Sequence, residues 1–105
     1  MQLARVRGNV VASIKDSGLA AHKLLLLEPV SAASPLGACA AEAAAATEVY
    51  AAIDLVGAGV GEVVLVALGS AARVAARGQS TPTDAAVIAI VDSVQLDGAS
   101  TFIKR

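Results

Sequence analysis

The sequence predicts a small, mainly β protein, an antiparallel β-barrel with one short helix. About six short segments with strand-like patterning are separated by turn residues. No helical segments alternate with them, as the crossovers of a parallel sheet would require. Some strands are apolar on both faces, and closure into a barrel removes the edges that such strands could not safely expose. Strands that are apolar on both faces also predict that another copy of the chain covers part of this protein's surface.

The first two strands are predicted to form a hairpin. From Leu3 to Ser13 small or apolar residues alternate with mostly polar ones, which is typical of a half-buried strand. Lys15 to Gly18 supply turn residues, because Asp and Ser side chains bond nearby amides and Gly tolerates positive φ. The chain then returns through Lys23 to Glu28. The face predicted to point inward consists of Ala4, Val6, Gly8, Val10 and Ala12.

Pro29 to Thr47 is a break in composition. It holds two of the three prolines and the alanine-rich run 38–46. Alanine favours helix, but an isolated helix shorter than about 12 residues is marginal in water. We therefore expect a variable loop with one or two helical turns at most. A linker between domains is the alternative, although neither side of it is long enough to be a domain.

The middle of the chain predicts two strands, a tight turn and a helix. Glu48 to Leu55 is strand-like, and Gly57 to Gly61 turns the chain into a strand over Glu62 to Ala67 whose two faces are both apolar, so both should be buried. Ser70 is predicted to cap a short helix over Ala71 to Ala76. Gly78 then ends that helix, in which Arg73 and Arg77 share one face.

The last part of the chain predicts a second hairpin. Ala86 to Val94 is apolar on both faces apart from Asp92 and Ser93. Asp97-Gly98 is a favoured two-residue turn, so Ala99 to Ile103 should fold back on the preceding strand.

Length and composition bound the class of protein. The 105 residues, of 10.3 kDa, allow a single domain spanning residues 1–105. A hydrophobic fraction of 56%, above the roughly 45–50% of soluble domains, comes from small aliphatic residues, which predict a tightly packed interior. Eight basic and nine acidic residues give no cationic excess, and Tyr50 and Phe102 are the only aromatics, so nucleic-acid binding is not expected.

The chain is also expected to be cytoplasmic and not to enter a membrane. No apolar run approaches the roughly 18–20 residues that cross a bilayer, and no apolar signal core follows Arg5 and Arg7. The single cysteine, Cys39, forms no internal disulfide, which suits a reducing compartment.

No pattern of residues points to catalysis or to a cofactor. The spacing of Gly57, Gly59 and Gly61 is not that of a dinucleotide-binding loop, and the loop leads into a strand where an anion site would need a helix N-terminus. We interpret Gly57 and Gly59 as a tight turn packed against a neighbour. Asp84 and Asp92 are a conceivable acid–base pair, but turn and strand-end positions favour structural roles.

Isolated polar residues give no site either. His22 has no nearby set of metal ligands, Cys39 has no basic neighbour to lower its pKa, and no histidine stands near Ser70. We therefore predict no catalytic, metal or cofactor-binding residues. Arg73 and Arg77 have two open interpretations: they line a pore or clamp an acidic partner, or they solvate one face of the helix.

Segments distributed over nearly the whole chain match one family in order. They are Met1-x-Leu3-Ala4-Arg5-Val6-x-Gly8-x-Val10-Val11, Lys23-Leu24-Leu25, Asp54-x-Val56-Gly57-Ala58-Gly59-x-Gly61-Glu62-x-Val64-Leu65, Gly69-Ser70-Ala71-Ala72-Arg73 and Pro82-x-Asp84-Ala85-Ala86-Val87 to Asp92. Together they resemble the vertex proteins of bacterial microcompartments, the pentameric shell proteins of carboxysomes and of the ethanolamine and propanediol organelles.

Two features depart from the family pattern. Ala21 stands where family members commonly carry Gly, two residues before the lysine of the first hairpin. The segment from Pro29 to Thr47 is longer and richer in alanine than the family's loop. The conformation of both segments therefore does not follow from the resemblance.

The resemblance implies a structural function. It implies an OB-like barrel assembled as a cyclic homopentamer with a narrow axial pore, capping a vertex of a microcompartment shell in the cytoplasm and meeting hexameric or trimeric shell proteins at its rim. An OB-like module that binds an oligonucleotide or a small ligand is the alternative. The residues expected at subunit contacts or the pore are Gly57, Gly59, Gly69, Ser70, Ala71 and Arg73.

Overall fold

The computed structural model describes residues 1–13, 15–19, 22–36, 48–76 and 82–104. Strands, one α-helix and a 3₁₀ turn (Ser17–Leu19) form most of this part of the chain. The elements are β1 (Gln2–Val10), β2 (Lys23–Pro29), β3 (Tyr50–Asp54), β4 (Val63–Leu68), α1 (Ser70–Ala75), β5 (Ala85–Ile90), β6 (Ser93–Leu96) and β7 (Ala99–Ile103). The mainly β class with one short helix is thereby confirmed.

Five strands close into a barrel in the order β1-β2-β3-β5-β4, with β4 pairing back to β1. The predicted barrel is confirmed, but it is not wholly antiparallel. β3 and β5 run parallel, with Ile53 opposite Ala86 and Asp54 opposite Val87. The intervening β4 and α1 form the crossover between these two strands, a combination that strand patterning alone does not reveal.

Small aliphatic side chains fill the barrel, as the composition predicts. The interior cluster consists of Ala4, Val6, Leu25, Leu27, Ala52, Ala58, Val64, Val66, Ala85 and Val87. A second cluster lies outside the barrel wall, where Ala72 of α1 packs with Ile53 and Ala86. The chain's own helix therefore covers part of the second apolar face, which we expected another copy of the chain to cover.

The first hairpin is confirmed, with a shorter first strand than predicted. β1 and β2 pair antiparallel, and an irregularity between Val6 and Gly8 shifts the register. Such a bulge inserts an extra residue and disturbs the alternation, so Val10 is exposed and Ala12 lies beyond the end of the strand. Gly18 N donates to Asp16 Oδ1 at 2.8 Å, the predicted turn chemistry.

The predicted cap of the helix is wrong. Gly69, and not Ser70, occupies the N-cap position, with φ 64°, and no side chain caps the helix. Gly69 N instead donates to Asp84 O at 2.7 Å, tying the start of α1 to the start of β5. Arg77 and Gly78 lie outside the described residues, as do Ala21, Cys39 and most of the loop predicted over 29–47.

The strand predicted from Ala86 to Val94 is in fact two. β5 ends at Ile90, and β6 starts a separate two-stranded sheet at Ser93. Val91 N donates to Val63 O at 2.8 Å, and Asp92 O accepts from Lys104 N at 2.7 Å, so the chain leaves the barrel here. The polar Asp92 and Ser93 mark this break.

The predicted turn of the second hairpin is confirmed. Asp97 and Gly98 both have positive φ, 52° and 80°, as a type I′ turn requires. Leu96 pairs with Ala99 beside the turn.

Candidate functional site

Asp54, the last residue of β3, anchors the glycine loop, which we define as residues 55–62. Its Oδ1 accepts hydrogen bonds from Val56 N and Gly57 N, both at 3.1 Å, and its Oδ2 accepts one from Ala58 N at 3.0 Å. A buried carboxylate needs such partners. The loop amides that could hold an external anion are therefore already bonded to the protein's own carboxylate.

Glu62 holds the other end of the glycine loop. Its Oε1 accepts from Gly59 N at 2.7 Å, and its Oε2 accepts from Lys104 Nζ at 2.7 Å. The Lys104 hydrogen bond is the main reason that the pKa of Glu62 lies below its ordinary value and that the pKa of Lys104 lies above it. Lys23 Nζ also donates to Ala58 O at 3.2 Å.

The anchored loop closes one end of the barrel. Ala58 is fully buried in the interior cluster. Gly61 N donates to Val6 O at 2.8 Å and Val6 N donates to Glu62 O at 2.9 Å, so the loop bonds to β1 immediately before the start of β4. Val60 is left 70% exposed, so the loop offers an apolar side chain on its outer side.

Two of the loop glycines are required by backbone conformation. Gly57 and Gly61 have φ of 82° and 92°, a region that residues with a Cβ rarely adopt. Gly59 does not, and a Cβ built there meets Glu62 Oε1 at an ordinary 3.6 Å.

The second group of residues expected at the interface lies at the start of α1. Gly69, Ser70, Ala71 and Arg73 are all exposed. Arg73 enters neither of the ion pairs found among the described residues. Gly57 and Gly59 belong to the glycine loop instead.

A shallow groove adjoins both of these regions. We call it the α1 groove; its volume is about 410 Å³ and it is lined by Leu55, Val56, Ala75, Ala76 and Ile88. This groove was not predicted from the sequence, because apolar residues in strands and helices are more often part of the core. The sequence feature that could have predicted the groove is the second apolar face of the strand that contains Ile88.

A partly buried ion pair was also missed. Arg7 Nη1 donates to Glu28 Oε2, and Glu28 is 2% exposed. Arg5 Nη1 donates to Leu36 O at 3.1 Å, while its buried Nε has no partner within the described residues. These arginines fasten β1 to β2 and to the segment after it.

The described residues include no group of three His, Cys, Asp or Glu side chains placed to hold a metal ion. No helix among them is long and apolar enough to cross a membrane. Asp84 and Asp92 use their carbonyl groups in backbone bonds, to Gly69 N and Lys104 N.

Comparison with known proteins gives a consistent result over almost the whole chain. Residues 1–92 match the family model described as "Ethanolamine utilisation protein EutN/carboxysome". The bacterial microcompartment shell vertex protein EutN of Salmonella typhimurium is 43% identical over 105 residues, covering 99% of this chain and 96% of the relative.

Solved structures agree with the sequence match. CcmL of Gloeobacter violaceus superimposes with a TM-score of 0.82 at 38% identity, covering 99% of this chain and 98% of that one. GrpN of Rhodospirillum rubrum, described as a pentameric microcompartment shell protein, has a TM-score of 0.72 at 34% identity, covering 91% and 99%. The likeness therefore extends over the barrel of each of these chains.

Proposed function

This chain belongs to the EutN/CcmL family, and on that premise we propose that it is a structural shell protein, five copies of which form a ring that caps a vertex of a bacterial microcompartment. It works in the shell of that organelle, within the cytoplasm. It is not an enzyme. The alternative of an OB-like module that binds an oligonucleotide or a small ligand finds no support among the relatives, which are named for shell vertices.

One observation carries this proposal: the full-length likeness to shell vertex proteins extends to a pentameric structure. The surface of the single chain supports it. Large apolar side chains are exposed at several separate places, among them Val11 (90%), Val74 (78%), Val60 (70%) and Ile103 (64%). Apolar surface at distinct places suits a ring, because each subunit of a ring meets two neighbours through two different surfaces.

We further propose that residues 1–105 act as one domain and that the interface or pore includes Gly57, Gly59, Gly69, Ser70, Ala71 and Arg73. The exposure of the last four and the rigid hydrogen bonding of the glycine loop support this. Its partners at the ring's rim are hexameric or trimeric shell proteins, and it binds no nucleic acid.

Native mass spectrometry of the purified chain, together with light scattering behind size exclusion, tests the ring. The expected particle has five times the 10.3 kDa mass of one chain. A monomer or dimer at all concentrations would contradict the proposal.

A second measurement tests the partners. Co-expression of the chain with a hexameric shell protein should give closed polyhedral shells by electron microscopy, and the hexamer alone should give sheets, tubes or open shells. Equal closure with and without this chain would contradict the vertex assignment.

A further inference from the structure

The hairpin of β6 and β7 has one apolar face that is covered only in part. Paired positions place Val94 beside Phe102 and Leu96 beside Ala99, with a register shift between Val94 and Gln95, and the alternation along β6 puts Val94 and Leu96 on the same side. Val94 and Phe102 are half-buried. Leu96 is 39% exposed, and Ala99 is exposed too. The opposite face of β6 carries Ser93 and Gln95.

Among the described residues, the hydrogen bonds that join this hairpin to the rest of the chain lie near its base. Lys104 N donates to Asp92 O, Lys104 Nζ donates to Glu62, and Thr101 Oγ1 donates to Ala32 O at 2.6 Å. Within the part of the chain that the structure describes, its two strands pair with each other and with no barrel strand. An isolated two-stranded hairpin is marginally stable in water, so a surface that covers its apolar face would stabilise it.

The α1 groove is a second apolar surface of the same chain. Its residues belong to α1, to β5 and to the chain just after β3. None of these residues belongs to the hairpin, which follows the end of β5 and starts beside Val63. One chain therefore carries an apolar hairpin face and a separate apolar groove.

Charge at the two surfaces is complementary as well. Arg73 lies one turn before Ala76 of the groove, and Asp97 forms the tip of the hairpin. Neither of them enters an ion pair within the described part of the chain.

We propose that the apolar face of the β6–β7 hairpin docks into the α1 groove of the next copy of this chain, with Asp97 beside Arg73 of that copy. This inference rests on the proposed ring and assigns the surfaces that build it. The contact is heterologous, because a hairpin meets a groove, and such contacts close into rings when the rotation between neighbours allows it. The occupant is a second copy because the same chain supplies both the hairpin and the groove.

Single substitutions on each surface test the contact. Leu96→Asp and Val56→Asp should abolish the pentamer and leave a folded chain of 10.3 kDa, because both side chains lie outside the barrel interior. The matched controls are Gln95→Asp, on the opposite face of the same strand, and Ala51→Asp, at an exposed position of β3 outside the groove. Both controls should retain the ring. Circular dichroism and the urea midpoint establish that each variant is folded.

A mixture of the two disrupted variants gives a sharper test. The Leu96→Asp chain keeps a working groove and the Val56→Asp chain keeps a working hairpin, so together they can form one contact but no ring. Native mass spectrometry at raised concentration should show a dimer, with twice the 10.3 kDa mass of one chain, in the mixture and in neither variant alone.

The outcomes separate this inference from the proposed function. If the unaltered chain forms the ring but Leu96→Asp also does, or if the mixture stays monomeric, the hairpin–groove contact is wrong and the ring stands. If the unaltered chain never reaches the mass of five copies, the ring itself is wrong.

Discussion

Asp54 Oδ2 accepts the backbone hydrogen bond of Ala58 at 3.0 Å, so the last residue of β3 positions the residue that closes the barrel end. The other carboxylate oxygen bonds Val56 N and Gly57 N. One side chain thereby sets the course of the glycine loop, and through Val56 it also shapes the α1 groove.

The Asp54→Asn variant should therefore be less stable. One amide oxygen replaces two carboxylate oxygens, and the amide NH₂ would face a backbone N–H, leaving buried donors unsatisfied. We expect a loss of about 1–3 kcal/mol in the free energy of unfolding, measured by urea denaturation. Asp16→Asn, which alters an exposed turn carboxylate, is the control and should change stability by less than about 0.5 kcal/mol. Equal effects of the two variants would contradict the anchoring role.

Two glycines of the same loop should respond differently to alanine. The Gly61→Ala variant should lose about 1–2 kcal/mol in the free energy of unfolding, because Gly61 has a φ of 92°. Gly59→Ala should be nearly neutral, because Gly59 lacks a positive φ and its Cβ has room. Thermal unfolding of the two variants side by side checks this. Similar losses in both would mean that the loop conformation is not as described.

Local patterns were enough to predict much of this fold. Two-residue turn chemistry predicted the turn at Asp97-Gly98, and small apolar strands predicted a closed barrel. The parallel pairing of Ile53 with Ala86 could not be predicted, because the order of strands depends on contacts distant in sequence. The cap at Gly69 was missed because its role comes from a backbone bond to Asp84, far along the chain.

The candidate site was harder to predict than the fold. The residues that we expected at the interface and that lie at the start of α1 are exposed. That they form the interface is still a prediction. The α1 groove was missed because Leu55 and Ile88 resemble core residues in a single sequence, and they are in fact half-buried, lining a groove beside α1. The anchor at Asp54 did leave a signal, since an aspartate before a glycine-rich turn commonly bonds the turn's amides.

Stability should fall in acid through the contact between Glu62 and Lys104. The pKa of Glu62 is lowered in the folded state, so this carboxylate contributes stability above its ordinary value of 4.5, and the contribution is lost as pH falls through the lowered pKa. The pKa of Lys104 is raised, so its share is present below 10.5 and is lost as pH rises through the raised value.

The Lys104→Met variant should show a flatter dependence of the urea midpoint on acid pH than the unaltered chain. Because the pair is exposed, added salt at about 0.5 M should reduce the difference between the two. Glu48→Gln, which removes another exposed carboxylate, is the control and should leave the acid slope in place. An unchanged slope in Lys104→Met would show that other carboxylates govern the acid response.

Replacing only one partner of the ion pair between Arg7 and Glu28 should lower the stability of the fold. Glu28 is almost fully buried, so Arg7→Met leaves a carboxylate without its ionic partner, and we expect a loss of about 2–4 kcal/mol in the free energy of unfolding. The double variant Arg7→Met with Glu28→Met removes both charges and should recover part of that loss, because no buried charge is left unpaired. Arg7→Lys, which keeps the charge, should cost less than Arg7→Met.

Urea denaturation of the unaltered chain, the two single Met variants and the double variant gives the coupling energy directly. Strictly additive losses would show that the two side chains do not depend on each other, and β1 would then be held to β2 by its backbone bonds and apolar packing alone.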